Sequence, residues 1–187
     1  MAISAQDKIL YVANKLGLST LKNMQGSTGG VYDSNTASVS QSEFFTNASQ
    51  HVFVNSTNIT DNEFEVNEAL LIESIGFYSL ALGQNGPLGS TPTSVVKIVY
   101  SLTIGNKIVL KDMLWTRGID STFTAQGGGT VGRVFMDLEG VGILIPPQVK
   151  YSVSAQFFDQ AGAPVAVADV ACALYGTAVL LNFNTSI

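Results

Sequence analysis

The sequence predicts an all-β protein, a sandwich or barrel closed on itself, with a short helical arm in front of it. Residues 64–184 form a succession of short β-type runs that are separated by Gly, Pro and Asn turns. No helical period is present in this region to cover the faces of a sheet, so the strands must cover one another. The chain has 187 residues, close to the size of one domain, and a single core is therefore enough.

The composition favours a protein whose surface is covered by neighbouring subunits. Hydrophobic residues make up 46% of the chain and charged residues only 12%, about half of the ~25% that is usual in soluble domains. Such a surface is easily desolvated against a partner, because few ions must lose water. No apolar run approaches the ~20 residues that cross a bilayer, and no secretory signal is visible. We therefore expect a protein that is made in a reducing cytoplasm and associates with itself.

The first 30 residues are predicted to form a helical arm on a glycine-rich hinge. In residues 4–16 the apolar side chains recur at helical spacing on one face, Ser4 is placed to cap the helix, and Gly17 is placed to end it. A second short turn follows, and the glycines of residues 26–30 would act as a flexible joint. A lone amphipathic helix must bury its apolar stripe, and we expect a neighbouring subunit to provide the surface. The residues predicted to dock there are Ile9, Val12, Leu16 and Leu21.

Residues 31–187 are predicted to form the β-sandwich. The polar segment 31–62 predicts loops and extended chain, with one strand at residues 51–54. Residues 71–82 carry apolar side chains on both faces, which predicts a strand pair or a single strand that bends at Gly76.

The next part of the chain carries the strongest hairpin signal. An exposed connection rich in Gly and Pro occupies residues 83–94. The dipeptide Gly105-Asn106 suits a two-residue primed turn, so residues 95–104 and 107–114 are predicted to pair as a hairpin.

Three further segments complete the predicted sandwich. After a glycine loop at residues 126–132, a strand ends at Pro-Pro within residues 143–147. Residues 150–158 alternate apolar and polar side chains, which predicts a strand with one buried face. Residues 165–183 form the last strand, where Gly176 is expected to mark a bulge or bend.

The order of these elements resembles a known family. The runs LLIESIGF, IGNKIVL, GVGILIPPQVKYSVSAQFFD and ALYGTAVL look like the single jelly-roll modules of bacteriophage and other viral capsid proteins. In that family a strand leading to Pro-Pro precedes a long strand with inward aromatic side chains, and the last strand contains a glycine. The resemblance covers roughly residues 64–184. It implies a single jelly-roll β-sandwich and a virion subunit, often with an N-terminal arm that reaches a neighbour.

The candidate chemical motifs favour no enzyme, cofactor or metal. The run GGGTVG matches a dinucleotide fingerprint by spacing, but a β-like segment follows it instead of the required helix. His51 is the only histidine, too few for a zinc site, and Cys172 lies alone in an apolar run as a buried thiol. Asp61, Glu63 and Glu65 alternate along the chain and predict a charged edge strand, with a Ca²⁺ site as the alternative.

These observations predict a virion structural protein that assembles with itself and with other virion proteins. The alternative is a phage attachment or carbohydrate-binding module on the same fold. It would bind a glycan through the loops at residues 83–94 and 126–132, with Trp115 or Tyr78 as a stacking surface. The sequence argues against a nucleic-acid partner, because three lysines in the first 30 residues are too few for a phosphate footprint. The expected location is the virion, after synthesis in the host cytoplasm.

Overall fold

The structure, a computed structural model, contains one helix and nine strands among the residues that it describes. These residues are 3–18, 23–35, 37–46, 61–79, 97–116, 132–138, 140–159, 161–167 and 170–181. The elements are α1 (Ala5–Lys15), β1 (Gln25–Asn35), β2 (Gln41–Phe44), β3 (Glu68–Ser79), β4 (Lys97–Ile104), β5 (Lys107–Thr116), β6 (Gly132–Asp137), β7 (Ile143–Ile145), β8 (Tyr151–Phe158) and β9 (Val170–Leu180).

Both ends of helix α1 lie where the sequence predicts them. The Ser4 side chain accepts a hydrogen bond from the Asp7 amide, which satisfies one of the free donors of the first turn. Gly17 adopts a φ of +70°, and its amide donates to the Asn14 carbonyl. The next amide, of Leu18, donates to the carbonyl of Ala13. This pair of bonds is the Schellman ending that a glycine in the left-handed region permits.

The predicted hinge at residues 26–30 is wrong, because this segment belongs to β1. Strand β1 pairs with β9 along its whole length, from Gln25 opposite Leu180 to Asn35 opposite Val170. The glycines serve close packing here: a Cβ atom on Gly29 would lie 2.6 Å from the Cβ of Ala178. Because these glycines have no side chain, groups of β9 can approach the backbone of β1 closely. The hydrogen bonds between β1 and β9 hold that backbone in place.

Strands of the protein form two antiparallel sheets, which confirms the all-β prediction. The first sheet has the order β1-β9-β3-β6, with β7 also paired to β3, and the second has the order β2-β8-β4-β5. Every pairing between these strands is antiparallel. The main hydrophobic core contains side chains from both sheets, so the two sheets face each other across it.

Aromatic side chains occupy the centre of the core. Phe77 of β3 is completely buried, and its ring centroid lies 6.0 Å from that of Phe44 and 6.4 Å from that of Phe157. Strand β8 has the predicted alternation, because Tyr151, Val153, Ala155 and Phe157 are all buried. The inward face of β8 is therefore confirmed, and it meets β3 across the interior.

The hairpin and the last strand also agree with their predictions. Strands β4 and β5 pair around Gly105, whose φ is +59°. In β9 the register with β3 shifts beside Gly176, as expected for a bulge. The irregularity on β3 falls between Ile72 and Ser74, so the bend predicted at Gly76 is wrong, and Gly76 pairs regularly with Ala173. The strand predicted at residues 51–54 lies outside the described residues.

Candidate functional site

Helix α1 packs on the outer face of the five-stranded sheet. Val12 is completely buried there in a second apolar cluster with Ala69 and Leu71 of β3, Val179 of β9, and Leu181. The neighbouring residues of β3, Leu70 and Ile72, belong to the main core. Since successive side chains of a strand point to opposite faces, α1 covers the side of the sheet that faces away from the core. We call the apolar surface formed here by Ala69, Leu71, Val179 and Leu181, together with the packed face of α1, the α1 seat.

Three of the four predicted docking residues lie together in the α1 seat. Val12 is buried, Leu16 is partly buried against the same cluster, and Ile9 packs over Gly26 of β1. Leu21 lies outside the described residues. The apolar stripe of α1 is therefore buried against its own chain in this conformation. Docking of these residues on another subunit stays a prediction, and it requires α1 to exchange its own sheet for that of a neighbour.

A polar network anchors α1 to the bulge of β3, and the sequence analysis missed it. Lys8 Nζ lies 2.5 Å from Glu73 Oε2, and the hydroxyl of Thr177 donates to Glu73 Oε1 at 2.6 Å. Glu73 stands between Ile72 and Ser74, where the register of β3 shifts. Lys8 and Glu73 are separated by 65 positions in the chain. No local spacing signal could have brought them together.

The carboxyl of Glu73 is held in its ionised form by these contacts. Burial by itself raises the pKa of Glu73, whereas the hydrogen bonds from Lys8 and Thr177 and the positive charge of Lys8 lower it. The net result is a pKa below the ordinary value of 4.5. Because both side chains are partly exposed, solvent screens the attraction, and the network orients α1 more than it stabilises the fold.

The lowered pKa predicts that acid weakens the attachment of α1. A carboxyl whose pKa is lower in the folded state stabilises fully above its unfolded value, here 4.5, and loses this effect as the pH falls through the lowered value. We expect the difference in thermal midpoint between the native chain and Glu73→Gln to be largest above pH 4.5 and to shrink as the pH falls below it, through the lowered pKa of Glu73. Glu43→Gln removes an exposed carboxylate on β2 and controls for net charge. A difference for Glu73→Gln that does not change with pH would contradict this prediction.

Two shallow, open depressions flank Lys8 and Glu73. The first, of about 450 Å³, reaches Asp137 and Val141, and the second, of about 320 Å³, reaches Tyr175. Within the described part of the chain, no three His, Cys, Asp or Glu side chains are placed to hold a metal ion. The depressions therefore lie beside the α1 seat with a lining of both polar and apolar groups.

The acidic residues singled out by the sequence do not form the predicted edge strand. Asp61, Glu63 and Glu65 are described, but none of them lies in a strand. The Asp61 carboxylate accepts a hydrogen bond from the amide of Asn62 at 2.7 Å, so it shapes a local turn. The three residues belong to no metal-ligand group among the described residues, and the Ca²⁺ alternative has no support.

Cys172 and Asp33 are both buried, and their contacts indicate structural roles. Cys172 is completely buried, as predicted, and burial together with the charge of Asp33 raises the pKa of its thiol well above the ordinary value. The carboxylate of Asp33 accepts hydrogen bonds from the amides of Phe45, at 2.6 Å, and Ser34, at 2.9 Å. Asp33 thereby ties β1 to the end of β2, because Phe45 directly follows β2 and has a φ of +61°.

The aromatic residues considered for glycan binding are engaged within the protein. Trp115 of β5 is partly buried and packs against the main core. The hydroxyl of Tyr78 donates to the hydroxyl of Tyr175 at 2.9 Å. The loop at residues 83–94 and the part of the second loop before Gly132 lie outside the described residues, as do His51 and most of the GGGTVG run.

An apolar surface on β5 was not anticipated from the sequence. Four large hydrophobic side chains of this strand are exposed, namely Ile108, Val109, Met113 and Leu114. Strand β5 lies at the end of its sheet and pairs only with β4 among the described strands. Exposed apolar side chains concentrated on one edge strand are typical of interaction surfaces.

No protein-family model matches this chain, and no curated protein matches it. In the described residues, no helix is long and apolar enough to span a bilayer.

Proposed function

We propose that this chain is a jelly-roll structural subunit of a virion. The observation that carries the proposal is the nesting of the strand pairs. Strand β1 pairs with β9, β2 with β8, β3 with both β6 and β7, and β4 with β5. Each pair encloses the next along the chain, as in one long hairpin folded back on itself.

The distribution of these pairs between the sheets supports a rolled hairpin. The first and third pairs lie in the five-stranded sheet, and the second and fourth lie in the four-stranded sheet. Strands β6 and β7 contact consecutive parts of β3, Ser74–Ser79 and Leu70–Ile72, and so act as one interrupted strand. Counted in this way, the described part of the chain has eight strands, the number of a jelly roll built from two Greek keys.

The surface of the chain favours a structural role over ligand binding. Charged residues are only 12% of the sequence, and exposed apolar side chains are concentrated on β5. Both features lower the free energy needed to desolvate the surface against other subunits. A carbohydrate-binding module on the same fold is not favoured by any described contact, since Trp115 packs on the core and Tyr78 bonds to Tyr175.

Assembly of the full chain tests this proposal. We expect the purified protein to form regular multisubunit particles, visible by electron microscopy and sedimentation, and to co-sediment with virions from infected cells. Val12→Asp places a charge in the α1 seat, where Val12 is completely buried, and should release α1 and reduce particle yield by about tenfold or more. Leu10→Asp, on the exposed side of α1, is the matched control and should assemble normally.

Two results separate the outcomes. Faster tryptic cleavage at Lys8 and Lys15 in Val12→Asp would show that α1 has left its seat, while circular dichroism checks that the sheets persist. Normal assembly of a variant with a released α1 would refute the role of the arm. A chain that stays monomeric at every concentration and never accompanies virions would refute the structural role itself.

A further inference from the structure

Strand β5 presents an unusual amount of apolar surface for a strand at the end of a sheet. Ile108 and Leu114 are 57% and 61% exposed, and Val109 and Met113 are 44% and 41% exposed. The other large exposed apolar side chains in the described residues are dispersed: Leu10 lies on α1, Val66 precedes β3, and Tyr175 and Leu180 lie five positions apart on β9. Single exposed apolar residues are normal, whereas a concentration of several on one edge strand indicates a contact.

The backbone of β5 discourages the open-ended addition of strands. The register with β4 shifts twice, between Tyr100 and Leu102 and between Leu102 and Thr103. Asp112 adopts a φ of +49°, and its amide donates to the side chain of Ser101. Irregularities of this kind keep an edge from templating a fibre. The apolar side chains are therefore suited to a closed contact with a limited number of partners.

The pattern of apolar and charged residues along β5 is nearly the same when it is read from either end of the strand. Three apolar residues, at positions 108–110, stand on one side of the oppositely charged neighbours Lys111 and Asp112, and three more, at positions 113–115, stand on the other. When two copies approach with their β5 strands antiparallel, apolar groups meet apolar groups. The same arrangement brings Lys111 of each copy close to Asp112 of the other.

We propose that β5 is the contact between two copies of this chain, related by a two-fold axis near Lys111 and Asp112. A symmetric contact of this type requires a surface that is complementary to itself, which the order of apolar and charged groups on β5 provides. A dissimilar partner would gain nothing from this symmetry. The inference rests on the proposed structural role only in that subunits must meet their own copies, and its test needs no particle.

The first test compares two exposed apolar residues. Sedimentation velocity of the full chain over a range of concentrations should show a monomer–dimer equilibrium. Leu114→Asp should weaken dimerisation by about tenfold or more, because a charge would be desolvated in the contact. Val66→Asp is the matched control, since Val66 is 57% exposed but does not lie on β5, and should dimerise like the native chain. A monomeric native chain, or equal dimerisation of Leu114→Asp, would overturn the inference.

The second test exchanges charges across the two-fold axis. Lys111→Glu leaves two acidic residues side by side on β5, and Asp112→Lys leaves two basic ones, so each variant alone should dimerise about tenfold less than the native chain. An equimolar mixture should recover association, because unlike charges then meet. If the mixture does not recover association, the two-fold axis does not lie near Lys111 and Asp112, and this part of the inference is overturned. Should the left-handed φ of Asp112 prevent Asp112→Lys from folding, the comparison of Leu114→Asp with Val66→Asp decides the matter.

The outcomes for the dimer and for the virion role are distinguishable. Native dimers that form no particles and never accompany virions would support the β5 contact and refute the virion role. Particles formed equally well by the native chain and by Leu114→Asp would support the virion role and refute the β5 contact.

Discussion

Gly176→Ala is expected to lower the free energy of unfolding by more than about 3 kcal/mol. A Cβ atom at Gly176 would collide with the carbonyl oxygen of Leu71 and lie 2.9 Å from the amide nitrogen of Glu73. Both are backbone atoms of β3, so no side chain can turn aside to relieve the contact. The change must force apart β9 and β3 at the bulge that presents Glu73 to Lys8.

Chemical denaturation of the variant and of Gly140→Ala checks this expectation. Gly140 has a φ of +87°, and a Cβ atom there would meet nothing within 4 Å. Its substitution should therefore lower stability only by the strain of a left-handed alanine, about 1–2 kcal/mol. Equal losses for Gly176→Ala and Gly140→Ala would show that β3 and β9 can move apart freely at the bulge, contrary to the close approach described here.

Phe77→Ala is expected to destabilise the protein by about 3–5 kcal/mol. Phe77 is completely buried, and its ring contacts the rings of Phe44, Tyr100 and Phe157 at centroid distances of 6.0, 5.9 and 6.4 Å. Phe77 comes from one sheet and these three partners come from the other. Removing the ring leaves a cavity where the two sheets meet, and the neighbouring side chains can fill it only in part.

The same truncation at the surface provides the comparison. Leu180 of β9 is 37% exposed, and Leu180→Ala should change the free energy of unfolding by less than about 1 kcal/mol. Urea denaturation followed by tyrosine and tryptophan fluorescence measures both variants. A loss below about 1 kcal/mol for Phe77→Ala would mean that the sheets close over the vacated space, and that the core is not held by this aromatic cluster.

Elements with local signals were predictable from the sequence. The caps Ser4 and Gly17 define α1, and the dipeptide at Gly105 defines the hairpin of β4 and β5. The alternation in β8 identifies its buried face. Each of these signals depends on residues within a few positions of one another, where turn chemistry and side-chain periodicity act directly.

Features that depend on distant partners were not predictable. The glycines of residues 26–30 are compatible with a flexible joint or with a tightly packed strand, and pairing with β9 decides between the two. Glu73 acquires its importance from Lys8 and Thr177, which lie far from it in the chain. The exposure of β5 follows from its position at the end of the sheet, a property of the whole topology. The periodicity of side chains along a strand cannot show whether the edge of that strand will pair with another strand.

The position of β9 has a consequence for how the protein is made. This strand follows all the other described strands along the chain, yet it lies between β1 and β3 and pairs with both. During synthesis, the edges of β1 and β3 that pair with β9 must stay unpaired until the ribosome has released β9. Contacts between residues so far apart in sequence form slowly. The nascent chain is therefore most prone to aggregation just before β9 emerges, and insertion of β9 between β1 and β3 commits it to the native fold.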